Sequence, residues 1–191
     1  MREKRGEWTV LSSTVQFSNP WITVREDRVI QPDGQEGGFG VVEMTPGVSV
    51  LPVDDDGTVH LVRVYRYTLD RHCLEAIAGG IEDGEDPQEA ARRELREEAG
   101  IDAAELIDLG VVDQLTEVVV SPDRLFLARG LAFTKSDREE TEEIERVAVP
   151  LRQAVEWAYD GTVSHAASVV LILKAARLLN AEPPRRSRYP T

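Results

Sequence analysis

Three carboxylates, Glu94, Glu97 and Glu98, fall close together in the segment AARRELREEAG. If that segment is helical, positions i, i+3 and i+4 lie on one face, so the three acids share a single patch. Like charges at that spacing cost an isolated helix roughly 0.2–0.5 kcal/mol per pair. A helix that holds a divalent cation offsets this cost, because hard cations such as Mg²⁺ take carboxylate oxygens as ligands. The competing reading is a surface ladder of ion pairs, in which Arg92, Arg93 and Arg96 partner Glu89, Glu97 and their neighbours.

The helix that carries these acids has clear ends. Asp86 or a neighbour can cap it, Pro87 is tolerated in a first turn, and Gly100 can stop it. The spacing predicts a helix over 87–99 with Ala90, Ala91 and Leu95 against a sheet and the glutamates facing outward. Ahead of it, VSVLPV and TVHLVRVYRY read as strands, with DDDG between them as a hairpin signal. The first 45 residues read as short strands, WTVLSSTVQF, PWITVREDRVI and FGVVEMT, with QPDGQEGGFG as a turn or loop. Beyond the helix, strands are expected at LIDLGVVDQL and LFLARGLAF, followed by the acidic stretch SDREETEEIE. A strand at RVAVPL and two helices, LRQAVEWAYDG and SHAASVVLILKAARLLN, close the pattern. The division expected is a β-rich segment over 1–45, a main domain over 46–182 and a disordered tail over 183–191. The fold class is α/β.

Composition narrows the function further. The chain has 191 residues, 41% hydrophobic and 30% charged, which suits a globular protein. Its net charge of −13 argues against nucleic-acid binding, which needs a basic face. Cys73 is the only cysteine, so no intrachain disulfide forms, and a buried structural thiol is expected. The start, MREKRGEW, has no apolar leader, and the longest apolar run, near 169–173, is too short to span a bilayer. No membrane role is expected, and the location expected is cytoplasmic. His60, His72 and His165 lack metal-ligand spacing and read as structural or surface residues.

The window from Gly79 to Ile101 also resembles a known motif. Gly79, Glu85, Arg93, Glu94, Leu95, Glu97, Glu98, Gly100 and Ile101 fit every fixed position of the Nudix box. The resemblance implies a Nudix hydrolase, with a mixed sheet sandwiched between helices. It further implies cleavage of a nucleoside diphosphate linked to another moiety, with bound Mg²⁺ or Mn²⁺. Glu94 and Glu98 would be the main metal ligands, Glu97 an additional one and the carbonyl of Ala78 another. Arg93 would orient the glutamates.

Features outside the box resemble the ADP-ribose and nucleotide-sugar pyrophosphatases of that family. They are the β-rich N-terminal segment, Val64-Tyr65-Arg66, the approach Leu74-Glu75-Ala76-Ile77-Ala78-Gly79-Gly80, and the run 160–168 before the last helix. By this resemblance Arg66 would bind a phosphate or the terminal ribose, with Glu75 near the substrate. The catalytic base would come from the acidic run at 139–143, with Glu140 first and Glu142 second; the same run also reads as solvated charge. Ile77 stands where many members have proline, and Thr116 or Glu117 stands where ADP-ribose enzymes often have one, within a loop that shapes the pocket. Alternative activities are hydrolysis of dinucleoside polyphosphates or a nucleotide coenzyme, or nucleotide sensing without catalysis. A homodimer is expected, because the N-terminal strands need a surface to cover their apolar face. In dimeric relatives that region can stack on the partner's adenine, and Phe17 and Trp21 lie in it; core or interface packing is the other reading of both.

Overall fold

The computed structural model describes residues 3–134 and 144–179. In chain order the elements are β1 (Glu3–Arg5), β2 (Trp8–Ser18), β3 (Ile22–Ile30), β4 (Glu36–Met44), β5 (Gly47–Pro52), β6 (Thr58–Arg66), a short 3-10 turn (Tyr67–Leu69), β7 (Arg71–Glu75), β8 (Ile77–Gly80), α1 (Pro87–Ala99), β9 (Ile101–Asp113), β10 (Val119–Val120), β11 (Pro122–Phe133), β12 (Glu145–Pro150), α2 (Leu151–Asp160) and α3 (Ala166–Leu178). They form two compact units. One contains Met1–Pro46 with Asp113–Pro122, and the other Gly47–Val112 with Asp123–Thr191.

The first unit is one sheet in the order β1-β2-β3-β4-β10. Its strands are antiparallel except for β10, which runs parallel to β4. β4 starts earlier than its sequence suggests: half of the glycine-rich stretch expected as a turn or loop is strand, since β4 begins at Glu36 and pairs with β3 along its whole length. The turn itself is confined to the residues around Gly34. Val10, Val29 and Val41 are buried, and Arg25 and Asp27 are buried among them as an ion pair.

The second unit carries two further sheets, β8-β5-β11-β9 and β12-β6-β7. β5 runs antiparallel to β8 and parallel to β11, so the first of these is mixed. The Asp-Gly signal does give a tight turn, with the amide of Gly57 donating to the carbonyl of Asp54 at 3.0 Å. The two strands do not go on to form a hairpin, however. After the single bridge Val53↔Val59 they part, β5 into one sheet and β6 into the other.

Alternation along β5 sends side chains to two different cores, because successive strand residues face opposite ways. Val48 and Val50 pack with Ala90, Ala91 and Leu95 of α1. Leu51 packs with Val155 of α2 and Leu171 and Ile172 of α3. Helix α1 thus lies on one face and α2 and α3 on the other. Full burial of a side chain such as Leu95 contributes about 2 kcal/mol.

Helix α1 has the ends its sequence predicts. Asp86 is the N-cap and its carboxylate accepts from the amide of Gln88, with Pro87 in the first turn. Gly100 closes the helix at φ 61°, a left-handed conformation that favours glycine. Two further carbonyls at this end find donors: Arg146 Nη1 reaches the carbonyl of Ala99 at 3.2 Å, and the amide of Thr134 reaches that of Gly100 at 2.8 Å. One expectation fails here. Glu94 does not face outward but is buried, 8% exposed, because it leans back onto β8.

Candidate active site

The site begins with the close approach of α1 to β8. A Cβ added to Gly79 would lie 2.0 Å from Glu94 Oε1, so only glycine leaves room for that carboxylate beside the strand. Glu98 reaches the neighbouring residue, accepting from the amide of Ala78 at 3.3 Å. Glu97 and Glu98 are both half-buried.

Arg93 binds this patch together. Its Nη1 donates to Glu94 Oε1 at 2.6 Å and to Glu97 Oε2 at 3.2 Å. Its Nε and Nη2 each donate to the Glu85 carboxylate at 3.0 Å, a bidentate pair. Nη2 also donates to the carbonyl of Gly80 at 2.9 Å. One guanidinium therefore spans the glycine turn, the loop before the helix and the helix face. Glu85 is fixed from its other side, where Oε2 accepts from the amide of Glu82 at 2.9 Å.

The electrostatics follow from these contacts. Hydrogen bonds from Arg93 hold the Glu85 carboxyl below the usual carboxylate range, and the carboxylates in turn raise Arg93. Burial pushes Glu94 up; its bond to Arg93 opposes this, and the nearby charges of Glu97 and Glu85 add to it. Four acids, Glu85, Glu94, Glu97 and Glu98, with one arginine leave the patch negatively charged. Hard carboxylate oxygens in a negative patch, with backbone carbonyls beside them, fit a divalent cation. Among the described residues no three acidic, histidine or cysteine side chains converge on one point. The contacts above account for this, since Glu94 and Glu97 lean on Arg93 while Glu98 turns to Ala78.

The other predicted residues gather at the end of β6. Arg66 Nε lies 3.2 Å from both oxygens of Glu75, and its Nη2 lies 2.6 Å from Oε2. Glu75 is buried, whereas the Arg66 side chain is 41% exposed. Glu140 and Glu142, the expected bases, lie outside the described residues.

Four polar residues in this unit escaped sequence reasoning. Ser49 Oγ donates to Asp123 Oδ2 at 2.8 Å, and both residues are buried. Burial pushes the Asp123 carboxyl up, opposed by Ser49 and by the charge of nearby His165. His165 stands at the start of α3 with Nδ1 3.8 Å from Glu75 Oε2. Its Nδ1 is also 2.8 Å from Oγ of Ser168, another buried residue. The available signals were Ser49, a polar side chain inside the apolar run VSVLPV, and the run 160–168, which holds His165 and Ser168. The other two histidines read as structural or surface residues: buried His60 is bonded to Asp54, and exposed His72 stacks edge-on against Tyr65. Cys73 is buried and free. No helix among the described residues is long and apolar enough to cross a membrane.

Comparison with known proteins gives the same picture. The family model described as NUDIX domain matches residues 43–169, and that described as nucleoside diphosphate sugar hydrolase N-terminal domain matches residues 8–42. An ADP-ribose pyrophosphatase of Bacillus subtilis is 30% identical over 173 residues, covering 83% of this chain and 90% of its own. An ADP-ribose pyrophosphatase of Mycobacterium tuberculosis is 28% identical, covering 87% of this chain and 82% of its own. A solved structure titled "Crystal structure of ADP compounds hydrolase" superposes with a TM-score of 0.81 at 23% identity, covering 93% of this chain and 97% of that one. The last likeness bears on the fold.

The Arg93–Glu85 pair makes a pH prediction. Because the folded Glu85 titrates below its ordinary value, its stabilising contribution is complete above that value. It is lost as pH falls through the depressed folded value. Glu85→Gln is expected to cost about 1.5 kcal/mol at neutral pH in urea unfolding without added metal. The difference from wild type should shrink steadily on acidification. A difference that is flat or grows toward acid would show that Arg93 does not hold Glu85 in this way.

Proposed function

Because the chain belongs to the Nudix hydrolase family, we propose that it hydrolyses the diphosphate bond of ADP-ribose or a related nucleoside diphosphate sugar. The products would be a nucleoside monophosphate and a sugar phosphate, AMP and ribose 5-phosphate for ADP-ribose itself. The observation that carries the reading is the acidic face of α1 pinned by Arg93 against the glycine turn. The match of residues 8–42 to nucleoside diphosphate sugar hydrolases, and the names of the two bacterial relatives, support the substrate class.

The roles proposed here join the geometry of the described residues to the resemblance to the Nudix family. Glu94, Glu97, Glu98 and the carbonyl of Ala78 would hold a divalent cation, Mg²⁺ or Mn²⁺, which neutralises phosphoryl charge and activates water. Arg93 keeps the glutamates from splaying apart and contributes no contact to substrate. Arg66, anchored by Glu75 and partly exposed, presents a guanidinium to a phosphate group. Glu140 or Glu142 would take the proton from the attacking water.

We also propose a homodimer formed through the N-terminal unit, residues 1–45 of which carry most of its strands. Val15, Phe17, Trp21 and Met44 of that unit are all exposed, and Trp21 is 71% so. Apolar side chains at this density need cover. A single buried, free cysteine is consistent with a cytoplasmic setting. Light scattering should give twice the chain mass, and Trp21→Glu with Phe17→Glu should give a monomer. A monomeric wild type would remove the dimer.

Product analysis tests the reaction. With Mg²⁺, the protein should release AMP from ADP-ribose and cleave dinucleoside polyphosphates and NADH less well. Glu98→Gln should lower kcat/KM by at least about 100-fold, on the order of 3 kcal/mol of transition-state stabilisation. Gly79→Ala should be equally damaging while the protein stays folded, since the added methyl displaces the Glu94 carboxylate. A folded wild type that leaves the whole panel uncut would overturn the proposal.

A further inference from the structure

The first turn of α3 is tied to the short link between β7 and β8. Ser168 Oγ, fully buried, accepts from the amide of Ala76 at 2.8 Å. Ala76 is the single residue separating Glu75 at the end of β7 from Ile77 at the start of β8. His165, three residues before Ser168, places Nδ1 2.8 Å from the same hydroxyl oxygen and 3.8 Å from Glu75 Oε2. Among the described residues, every hydrogen bond to the Glu75 carboxylate comes from Arg66.

This arrangement selects one form of the imidazole. A serine oxygen has two lone pairs and one hydrogen, and Ala76 uses one lone pair. The second can accept from His165 Nδ1–H, leaving the serine hydrogen for another acceptor. The opposite choice would turn an imidazole lone pair toward the Glu75 carboxylate, which repels it. The geometry points to the Nδ1–H tautomer, donating to Ser168 Oγ, with the N–H dipole 3.8 Å from Glu75 Oε2 and attracting it electrostatically.

The consequence concerns Arg66. A phosphate that takes hydrogen bonds from Arg66 weakens the only hydrogen bonds Glu75 has among the described residues, and a buried carboxylate left without donors is costly. A second donor beside Glu75 reduces that cost. We infer that His165 is a positioning residue, whose Nδ1–H steadies the Glu75 carboxylate while Arg66 is shared with the phosphate of the substrate. This rests on the reading of Arg66 as a phosphate-binding residue. It assigns His165 to substrate affinity rather than to the chemical step.

Two measurements on the full chain test it. In steady-state kinetics on ADP-ribose with Mg²⁺, His165→Ala should raise KM about tenfold and leave kcat within about twofold. His165→Asn, whose amide nitrogen can replace Nδ1–H, should recover most of the loss. An unchanged KM, a fall confined to kcat, or asparagine no better than alanine would overturn the inference. In ¹⁵N-resolved NMR of the imidazole, Nδ1 should carry the proton, and its resonance should move in Glu75→Gln. An unprotonated Nδ1, or no response to Glu75→Gln, would overturn the inference as well. The NMR result stands even if wild type cleaves no nucleotide, an outcome that would sink the proposed reaction by itself.

Discussion

The guanidinium of Arg93 is the contact on which the charged face of α1 depends. At an effective dielectric of 20, two carboxylates 4 Å apart repel by about 4 kcal/mol. Glu85, Glu94 and Glu97 all approach this one side chain, so without a cation between them the patch would open. Arginine suits the task because its planar fork of donors reaches several acceptors at fixed angles. Here it grips a carboxylate bidentately with one edge while touching two others and a backbone carbonyl. Lysine would supply the charge but not those directions.

Backbone geometry does the rest of the positioning. Glycine at 79 lets Glu94 lie against β8, and the caps Asp86 and Gly100 fix where α1 starts and stops relative to that strand. The register of β8 on β5, with Ala78 opposite Ser49 and Gly79 opposite Val48, sets which backbone groups meet the helix. The buried apolar residues of α1, Ala90, Ala91, Leu95 and Ala99, are small at three of four positions, and this permits the close approach of helix to sheet. Packing, backbone and charge therefore specify a single arrangement of the acids. A second polar group, around Glu75, lies at the other end of the short β7–β8 link and shares its backbone.

Much of this was legible in the sequence because it is local. Asp86, Pro87 and Gly100 mark a helix by chemistry confined to one segment, and the structure has that helix over the predicted residues. The resemblance to the Nudix family followed from fixed spacings in one window and the α/β class from the order of strands and helices along the chain, and the fold agrees. What the sequence hid is what depends on distant partners. The outward placement of Glu94 failed because helix periodicity carries no knowledge of the strand waiting at Gly79. Glycines 37, 38 and 40 read as a loop, yet β3 supplies pairing along the whole of β4. Asp54-Asp55-Asp56-Gly57 gave its turn but not a hairpin, since sheet membership is decided by β8, β11, β7 and β12. His165 and Glu75 are ninety residues apart, and no local pattern could have joined them.

The central claim is that the acidic face of α1, held together by Arg93, is where a divalent cation binds. Anomalous scattering from crystals of the protein grown with Mn²⁺ tests it most directly. The expected result is manganese density against Glu94 and Glu98, with Arg93 still bound to Glu85. Manganese bound only elsewhere on the chain, or none at α1 at saturating concentration, would contradict the assignment of this helix as the metal site.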